Sequence, residues 1–386
     1  MSRIVLLGLL SALTVTLGAQ QVLGSTTYIV GTCKTGFKSF TTISAALAAT
    51  PAPNTVRVCP GTYPEQIEIQ IPVTLEGISA NNSSQAIITP PPNGFVANAT
   101  DDFAQPLVVQ LYINNVAGTV NVTNLTLDAE SQGVYPDCTV GIFYQNTPGT
   151  MNELTTRNQN YSDCGGGRGV YIEGGASNPT VTVENSSVHD FNAFGIYAET
   201  NSSVSELNVT IKNNFVNGGG NVTYGIYVVE GVTGTVTGNT VVNNAAYGII
   251  SDFSFAGSIA DNTLVGNNTS IFEPSGTPGS TVGVPITSNK IYDSGTWAIE
   301  SALPATITGN TIARAPAGIE FVCQPNPNVH SNIFNDVVTA LNDVPSGTVS
   351  TNSYFNVGTE ESGASCSSAV ASAPPSTGTI HNKTTF

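Results

Sequence analysis

The chain has 386 residues, of which only 9% are charged, against roughly 25% in ordinary globular domains. Acidic residues outnumber basic ones 26 to 10, a formal charge of −16, so nucleic acid and anionic membrane surfaces are repelled rather than bound. Hydrophobic residues make up 40% of the chain, which excludes disorder throughout, and the wealth of Gly, Asn, Ser and Thr beside Val and Ile points to β-structure with many turns.

Residues 1–19 read as a secretory signal. Arg3 supplies the positive start, Ile4–Leu17 the apolar region, and a cut after Ala19, or as late as Gly24, fits the small-residue rule. The apolar run is short for a spanning helix, and no later stretch is apolar enough to cross a bilayer. A secreted, periplasmic or surface-held monomer without a membrane span is expected. An even number of cysteines behind a signal suggests disulfides. The near copies "YPDC" (Tyr135–Cys138) and "YSDC" (Tyr161–Cys164) favour Cys138–Cys164. Cys33–Cys59 and then Cys323–Cys366 follow in order of preference. No CxxC occurs and His is scarce, which argues against zinc.

"FTTISAALAAT" (Phe40–Thr50) places Ile43, Ala46 and Leu47 on one helical face behind a Thr or Ser cap. The helix is expected to close one end of a stack of strands. Thr55–Gly77 then reads as strand, Pro-Gly turn and two further alternating strands.

From about Val120 the chain repeats itself. One submotif is an apolar residue, two spacers, Asn, one spacer and an apolar residue, as in "VTGNTV" at Val236–Val241 and "ITGNTI" at Ile307–Ile312. Its asparagines are Asn214, Asn239, Asn262, Asn289, Asn310, Asn332 and Asn352, spaced 20 to 27 residues apart. The other submotif is Gly, an apolar residue, usually Tyr, then a carboxylate: "GVYIE" at Gly169, "GIYAET" at Gly195 and "GIYVVE" at Gly225. Its apolar positions run from Ile142 through Val170, Ile196, Ile226, Ile249, Ile271, Ile299 and Ile319 to Leu341. Such a period means a solenoid. Short β-branched runs between Gly, Asn and Ser make it an all-β protein, a right-handed parallel β-helix with one coil per repeat and a short N-terminal capping helix. The asparagines are expected to stack as an amide ladder, and the glycines to permit a turn. Residues 25–355 read as one β-helix domain, and 356–386 as a Ser/Ala/Pro-rich tail.

The segment Thr42–Ile69, "TISAALAATPAPNTVRVCPGTYPEQIEI", resembles the opening coil of secreted right-handed parallel β-helix proteins, the superfamily of pectate lyases and pectin methylesterases. The "GIY" and "N-x-[IV]" repeats resemble its generic β-helix repeat region. The resemblance covers roughly residues 28–355 and implies the fold, with polysaccharide as a partner class; fold alone does not fix an activity. Enzyme signatures are incomplete. "DFSFAG" at Asp252–Gly257 partly matches the pectin methylesterase motif that carries a catalytic Asp, but the family's other marks are missing, and polygalacturonase marks fail. A pectate lyase needs a basic residue beside Ca²⁺-binding carboxylates, for which Arg168 is the best placed.

Strand residues alternate between faces. With Ile196 inside, the outward column holds Phe143, Tyr171, Tyr197, Tyr227, Ile250 and Phe272. An acidic column of Glu173, Glu199 and Asp252 runs beside it, with Glu230 and Glu273 joining loosely. Tyr171, Tyr197, Tyr227 and Phe272 would then line one exposed face suited to stacking on sugars. Glu173, Glu199, Asp252 and Arg168 are the candidates for catalysis, and no cofactor is required, although carboxylates so arranged could hold Ca²⁺. His189 and Asp190 are sequence neighbours whose side chains should diverge. Asp137 and Asp163 read as turn residues. Three readings stay open: a carbohydrate-binding or surface scaffold protein without chemistry, a polysaccharide lyase or carbohydrate esterase, and an adhesin-like spacer.

Overall fold

The structure is a computed structural model that describes residues 26–79, 85–101, 104–134, 138–161, 166–201, 206–220, 223–229, 231–252, 255–274, 283–322, 327–344 and 349–363. The signal segment, Cys164, Cys323, Cys366, Asp137, Asp163 and Glu230 lie outside these residues. No helix among them is long and apolar enough to cross a membrane.

Each coil of the repeat region carries three strands. One coil runs through Thr180–Glu184, Ser187–His189 and Phe194–Thr200, and the next through Leu207–Lys212, Phe215–Asn217 and Tyr224–Val228. Equivalent strands pair in parallel from coil to coil. The first strands stack into a 14-stranded sheet, the first face, while the short second and longer third strands form two further faces of the same tube. The pairing of Ala99–Thr100 with Pro106 and Leu107 is antiparallel. The last coil continues through Thr359–Gly363, which pairs with Thr339–Val344, so strand structure runs past Phe355.

The lumen is filled mainly by inward-pointing aliphatic residues, most of them β-branched. Ile142, Val170, Ile196, Ile226, Ile249, Ile271, Ile299, Ile319 and Leu341 are all at most 1% exposed and stack in register. The glycine before them answers a different need from a turn. A Cβ on Gly195 would lie 2.5 Å from the Gly225 carbonyl oxygen, and one on Gly225 would lie 2.5 Å from that of Gly248. Neither residue has a positive φ. The close approach of successive coils, not left-handed backbone, selects glycine here.

The asparagine ladder forms as the spacing predicts. At the corner between first and second strands, Asn262 Oδ1 accepts from Asn239 N (2.9 Å) and Asn239 Nδ2 (3.0 Å). Asn262 in turn donates from N (2.9 Å) and Nδ2 (3.0 Å) to Asn289 Oδ1, and from Nδ2 to Val236 O (2.9 Å). The pattern runs unbroken from Asn214 to Asn352. The buried amides therefore satisfy each other. The residue before each rung turns the corner with positive φ, as at Asn213, Asp261 and Ser331.

At the N-terminal end, helix α1 (Ile43–Leu47) buries Ile43, Ala46 and Leu47 against the first coils. Thr42 caps it, its side chain accepting from Ala45 N. Glu65, one coil on, accepts from Ile43 N (2.7 Å) and Ser44 N (3.0 Å). Cys33 and Cys59 form a disulfide in the same region. Cys138 is also disulfide-bonded.

Candidate functional site

On the third face two positions of each strand point out of the tube: the residue after the inward Ile, and the residue two before it. The first column contains Tyr112, Phe143, Tyr171, Tyr197, Tyr227, Ile250 and Phe272. The second contains Val140, Arg168, Phe194, Tyr224 and Tyr247. The two columns interlock into a second apolar cluster outside the lumen, with Leu107, Ala193 and Val229 packed in and Ala99 against it.

That packing corrects the expected sugar platform. Tyr171, Tyr197, Tyr227 and Phe272 are 0%, 3%, 1% and 3% exposed, so they do not line an open face. The cause is the adjacent column, whose bulky side chains cover the rings. Phe143 stacks on Tyr171 at 4.2 Å and Tyr171 on Tyr197 at 5.4 Å, while Phe194 lies 4.8 Å from Tyr197 and Tyr247 lies 4.6 Å from Phe272. The Arg168 guanidinium lies over the Tyr171 ring at 4.7 Å and the Tyr197 ring at 5.5 Å, held by cation–π attraction rather than presented to a substrate.

The acidic column is buried as well. Glu173, Glu199 and Asp252 are 2%, 3% and 1% exposed. Each takes a phenol. Tyr171 donates to Glu199 Oε1 and Tyr197 to Glu199 Oε2. Tyr171 Oη also lies 3.3 Å from Glu173 Oε2, Gln145 Nε2 donates to Glu173 Oε1 at 3.0 Å, and Tyr112 donates to Gln145 Oε1. Tyr227 donates to Asp252 Oδ2 at 2.7 Å. Burial raises the Glu199 carboxyl above its ordinary range, against the hydroxyl bonds and the Arg168 charge that lower it. Burial likewise pushes the Tyr171 and Tyr197 phenols well up, so they act as donors and not as bases. Tyrosine and carboxylate thus form a hydrogen-bonded ladder along the tube.

Glu273 does not join that column. It points inward, accepting from Val284 N (2.6 Å) and Ser301 Oγ (2.7 Å), and burial lifts it to about 7. His189 and Asp190 do not diverge: Nδ1 and Oδ2 approach to 2.6 Å at the surface, because Asp190 turns back with φ of 57°.

The outward column does not end at Phe272. Register places Glu300 on Phe272, Glu320 on Glu300 and Asn342 on Glu320. Two carboxylates therefore stand on adjacent coils, about 4.8 Å apart along the tube. Glu300 is partly exposed, as is Trp297 on the same strand. Burial first, and the neighbouring Glu320 second, raise Glu300 to about 7. Burial also raises Glu320, opposed by the Asn342 amide that donates to it. Sequence reasoning passed over this pair, although "AIES" and "GIEF" carry Glu in the slot that holds Tyr197 in "GIYAET". Among the described residues no group of three or more His, Cys, Asp or Glu side chains is placed to hold a metal ion.

Comparison with known proteins agrees with this architecture. Residues 110–284 match the family described as "right handed beta helix region". The chain is similar in structure to the A-module of the mannuronan C-5 epimerase AlgE6 from Azotobacter vinelandii, with a TM-score of 0.56 and 15% identity over 83% of this chain and 89% of that one. It is similar to an alginate lyase from Paenibacillus sp., with a TM-score of 0.51 and 15% identity over 73% and 93% of the two chains. It is also similar to the GH136 lacto-N-biosidase from Eubacterium ramulus, with a TM-score of 0.52 and 11% identity over 87% and 67%. No curated protein matches the chain by sequence. Strand order, register and these likenesses agree, and the chain has the right-handed parallel β-helix fold.

Proposed function

We propose that this chain is a secreted or surface-held carbohydrate-binding β-helix protein, and that its ligand contact centres on Glu300 and Glu320. The observation that carries the reading is the in-register carboxylate pair at the end of the third-face column, where the aromatic cover stops. Carboxylates accept well from sugar hydroxyls, and the partly exposed Trp297 offers a ring on the same strand. The names of similar structures support a saccharide partner: an epimerase of mannuronan, an alginate lyase and a lacto-N-biosidase. The buried ladder through Glu199 supports the face and does not touch ligand in this reading.

A catalytic reading has one observation in its favour. With Glu300 lifted to about 7 beside Glu320, one member can carry a proton near neutral pH while the other is ionised. That is the division of labour acid–base chemistry needs.

One experiment tests both readings. The protein is offered a panel of neutral and charged glycans, with and without Ca²⁺, and both binding and products are measured. Binding that weakens tenfold or more in Glu300→Gln and Glu320→Gln, but not in Glu199→Gln, is the expected result; a lost charged hydrogen bond costs about 1.5–3 kcal/mol. Cleaved, unsaturated or de-esterified products that vanish in Glu320→Gln would assign catalysis instead. Binding to no glycan would remove the carbohydrate reading.

A further inference from the structure

Unpaired polar atoms collect at one corner of the tube. Among the described residues seven side-chain nitrogen or oxygen atoms are buried without a hydrogen-bond partner, and five of them belong to Gln110, Thr156, Gln159, Asn160 and Arg168. These lie in three successive coils, where the second strand hands over to the third. They are three amide oxygens (Gln110 Oε1, Gln159 Oε1 and Asn160 Oδ1), one hydroxyl (Thr156 Oγ1) and one donor (Arg168 Nε). Folded proteins leave few such groups unpaired.

The two glutamines reach toward each other across the middle coil. Gln110 Nε2 donates to Ile88 O (2.8 Å) and Asp128 O (3.0 Å), and Gln159 Nε2 donates to Leu127 O (3.3 Å). Those bonds fix which end of each amide faces the backbone, so both Oε1 atoms need a donor from elsewhere. Gln110 lies opposite Gly141, since its neighbours Val109 and Leu111 pair with Val140 and Ile142. A Cβ on Gly141 would lie 3.1 Å from Gln159 Nε2, and one on Gly169, the next residue of that column, 2.8 Å from Thr156 Oγ1. Gly167, next to Arg168, packs against the carbonyl of Gln159, next to Asn160.

Later coils fill the same corner differently. There Asn267 Oδ1 accepts from Asn244 N (3.1 Å) and Asn244 Nδ2 (2.9 Å) of the coil before. Gln159 holds the equivalent place, two residues past Arg157, as Asn244 and Asn267 stand two past Val242 and Val265. The coil before Gln159 offers Glu130, two past Asp128, and its N–H is spent on Asp128 Oδ1 at 2.9 Å. The ladder that serves the later coils therefore stops short of Gln159.

We propose that this corner holds a cluster of at least two tightly bound water molecules. Water donates to the three amide oxygens and accepts from Arg168 Nε, and Thr156 Oγ1 can take either part. A buried water makes about three such bonds, so five atoms call for more than one molecule. A metal cation would satisfy the oxygens but repel Arg168, and the nearby Asp128 carboxylate is already paired with Arg157 at 2.8 Å. The inference concerns the interior and is independent of the Glu300–Glu320 reading.

The test joins a high-resolution crystal structure of the full chain to urea denaturation of Thr156→Val. Density for water is expected within hydrogen-bond distance of Gln110 Oε1, Gln159 Oε1 and Thr156 Oγ1. The variant keeps the β-branched shape that the strand favours, so it should fold. Its folding constant should be about fivefold lower, as for the loss of one ordinary hydrogen bond. A dry corner gives the opposite sign, because deleting a buried hydroxyl that bonds nothing raises the constant. A raised or unchanged constant overturns the proposal, and so does a corner without density. A peak that rubidium replaces on soaking would make the occupant a cation and overturn it equally.

Discussion

Glu273 occupies an inward column filled by Ile172, Ala198, Val228 and Ser251 in the preceding coils. Desolvation moves its carboxyl from 4.5 to about 7, so between those values the folded state binds more protons than the unfolded one. Stability is then full below pH 4.5 and is lost as pH rises through about 7, by about 3 kcal/mol at most. Chemical denaturation of wild type against Glu273→Gln should show the difference in this window, with the variant's profile flatter; parallel profiles would refute it. Asn262 makes a second residue-scale case. Asn262→Ala strips the acceptor from Asn239 N and Nδ2 and should cost about 2–4 kcal/mol in urea denaturation. Asn262→Ser should cost less, since Ser186 Oγ already serves Leu154 N in this way one coil before the ladder starts. The ladder was legible in the sequence because an Asn at a fixed place in each repeat can meet only its own copies. Glu273 was not, because a carboxylate at a strand end reads as a surface residue until the returning Val284 N is seen to cover it.

At the scale of the strand, the alternation rule assigned the inward column from Ile142 to Leu341 correctly, and it assigned the opposite direction to Tyr171, Tyr197 and Tyr227 correctly too. What it could not state is whether a residue pointing away from the lumen meets water. That depended on the second outward column, Arg168, Phe194, Tyr224 and Tyr247, which closes over the first. Tyr197→Phe should therefore act on stability, leaving one Glu199 oxygen without its phenol at a cost of about 1–3 kcal/mol, with no change in glycan binding. The glycine of each strand was visible in the sequence, but its reason lay in the next coil. Gly225→Ala should be destabilising by about 1–3 kcal/mol in thermal unfolding, through contact with the Gly248 carbonyl. Ala298 and Ala340 hold the equivalent place in later coils, which shows that the spacing there admits a methyl group.

Across the whole molecule each coil touches only the coils before and after it, so coils are interchangeable parts. Removing residues 240–262 would join Asn239 to Thr263, the residue in register with Thr240. The shortened chain should still unfold cooperatively, at a somewhat lower temperature. Loss of cooperative unfolding would show that this coil holds something its neighbours cannot replace. The cap at the N-terminal end has a mechanical consequence. Helix α1, the Glu65 carboxylate and the Cys33–Cys59 bond tie the first coils together, whereas among the described residues the last strand, Thr359–Gly363, has no such ties and Phe355 is exposed nearby. Under tension applied between the ends, the coils should peel from the C-terminal side, one asparagine rung per event. Rungs fall 20 to 27 residues apart, so each release would lengthen the chain by about 70–90 Å. Pulled in this way, the protein would behave as a ratcheted tether that gives ground in steps of similar but unequal length and keeps its first coils folded to the last.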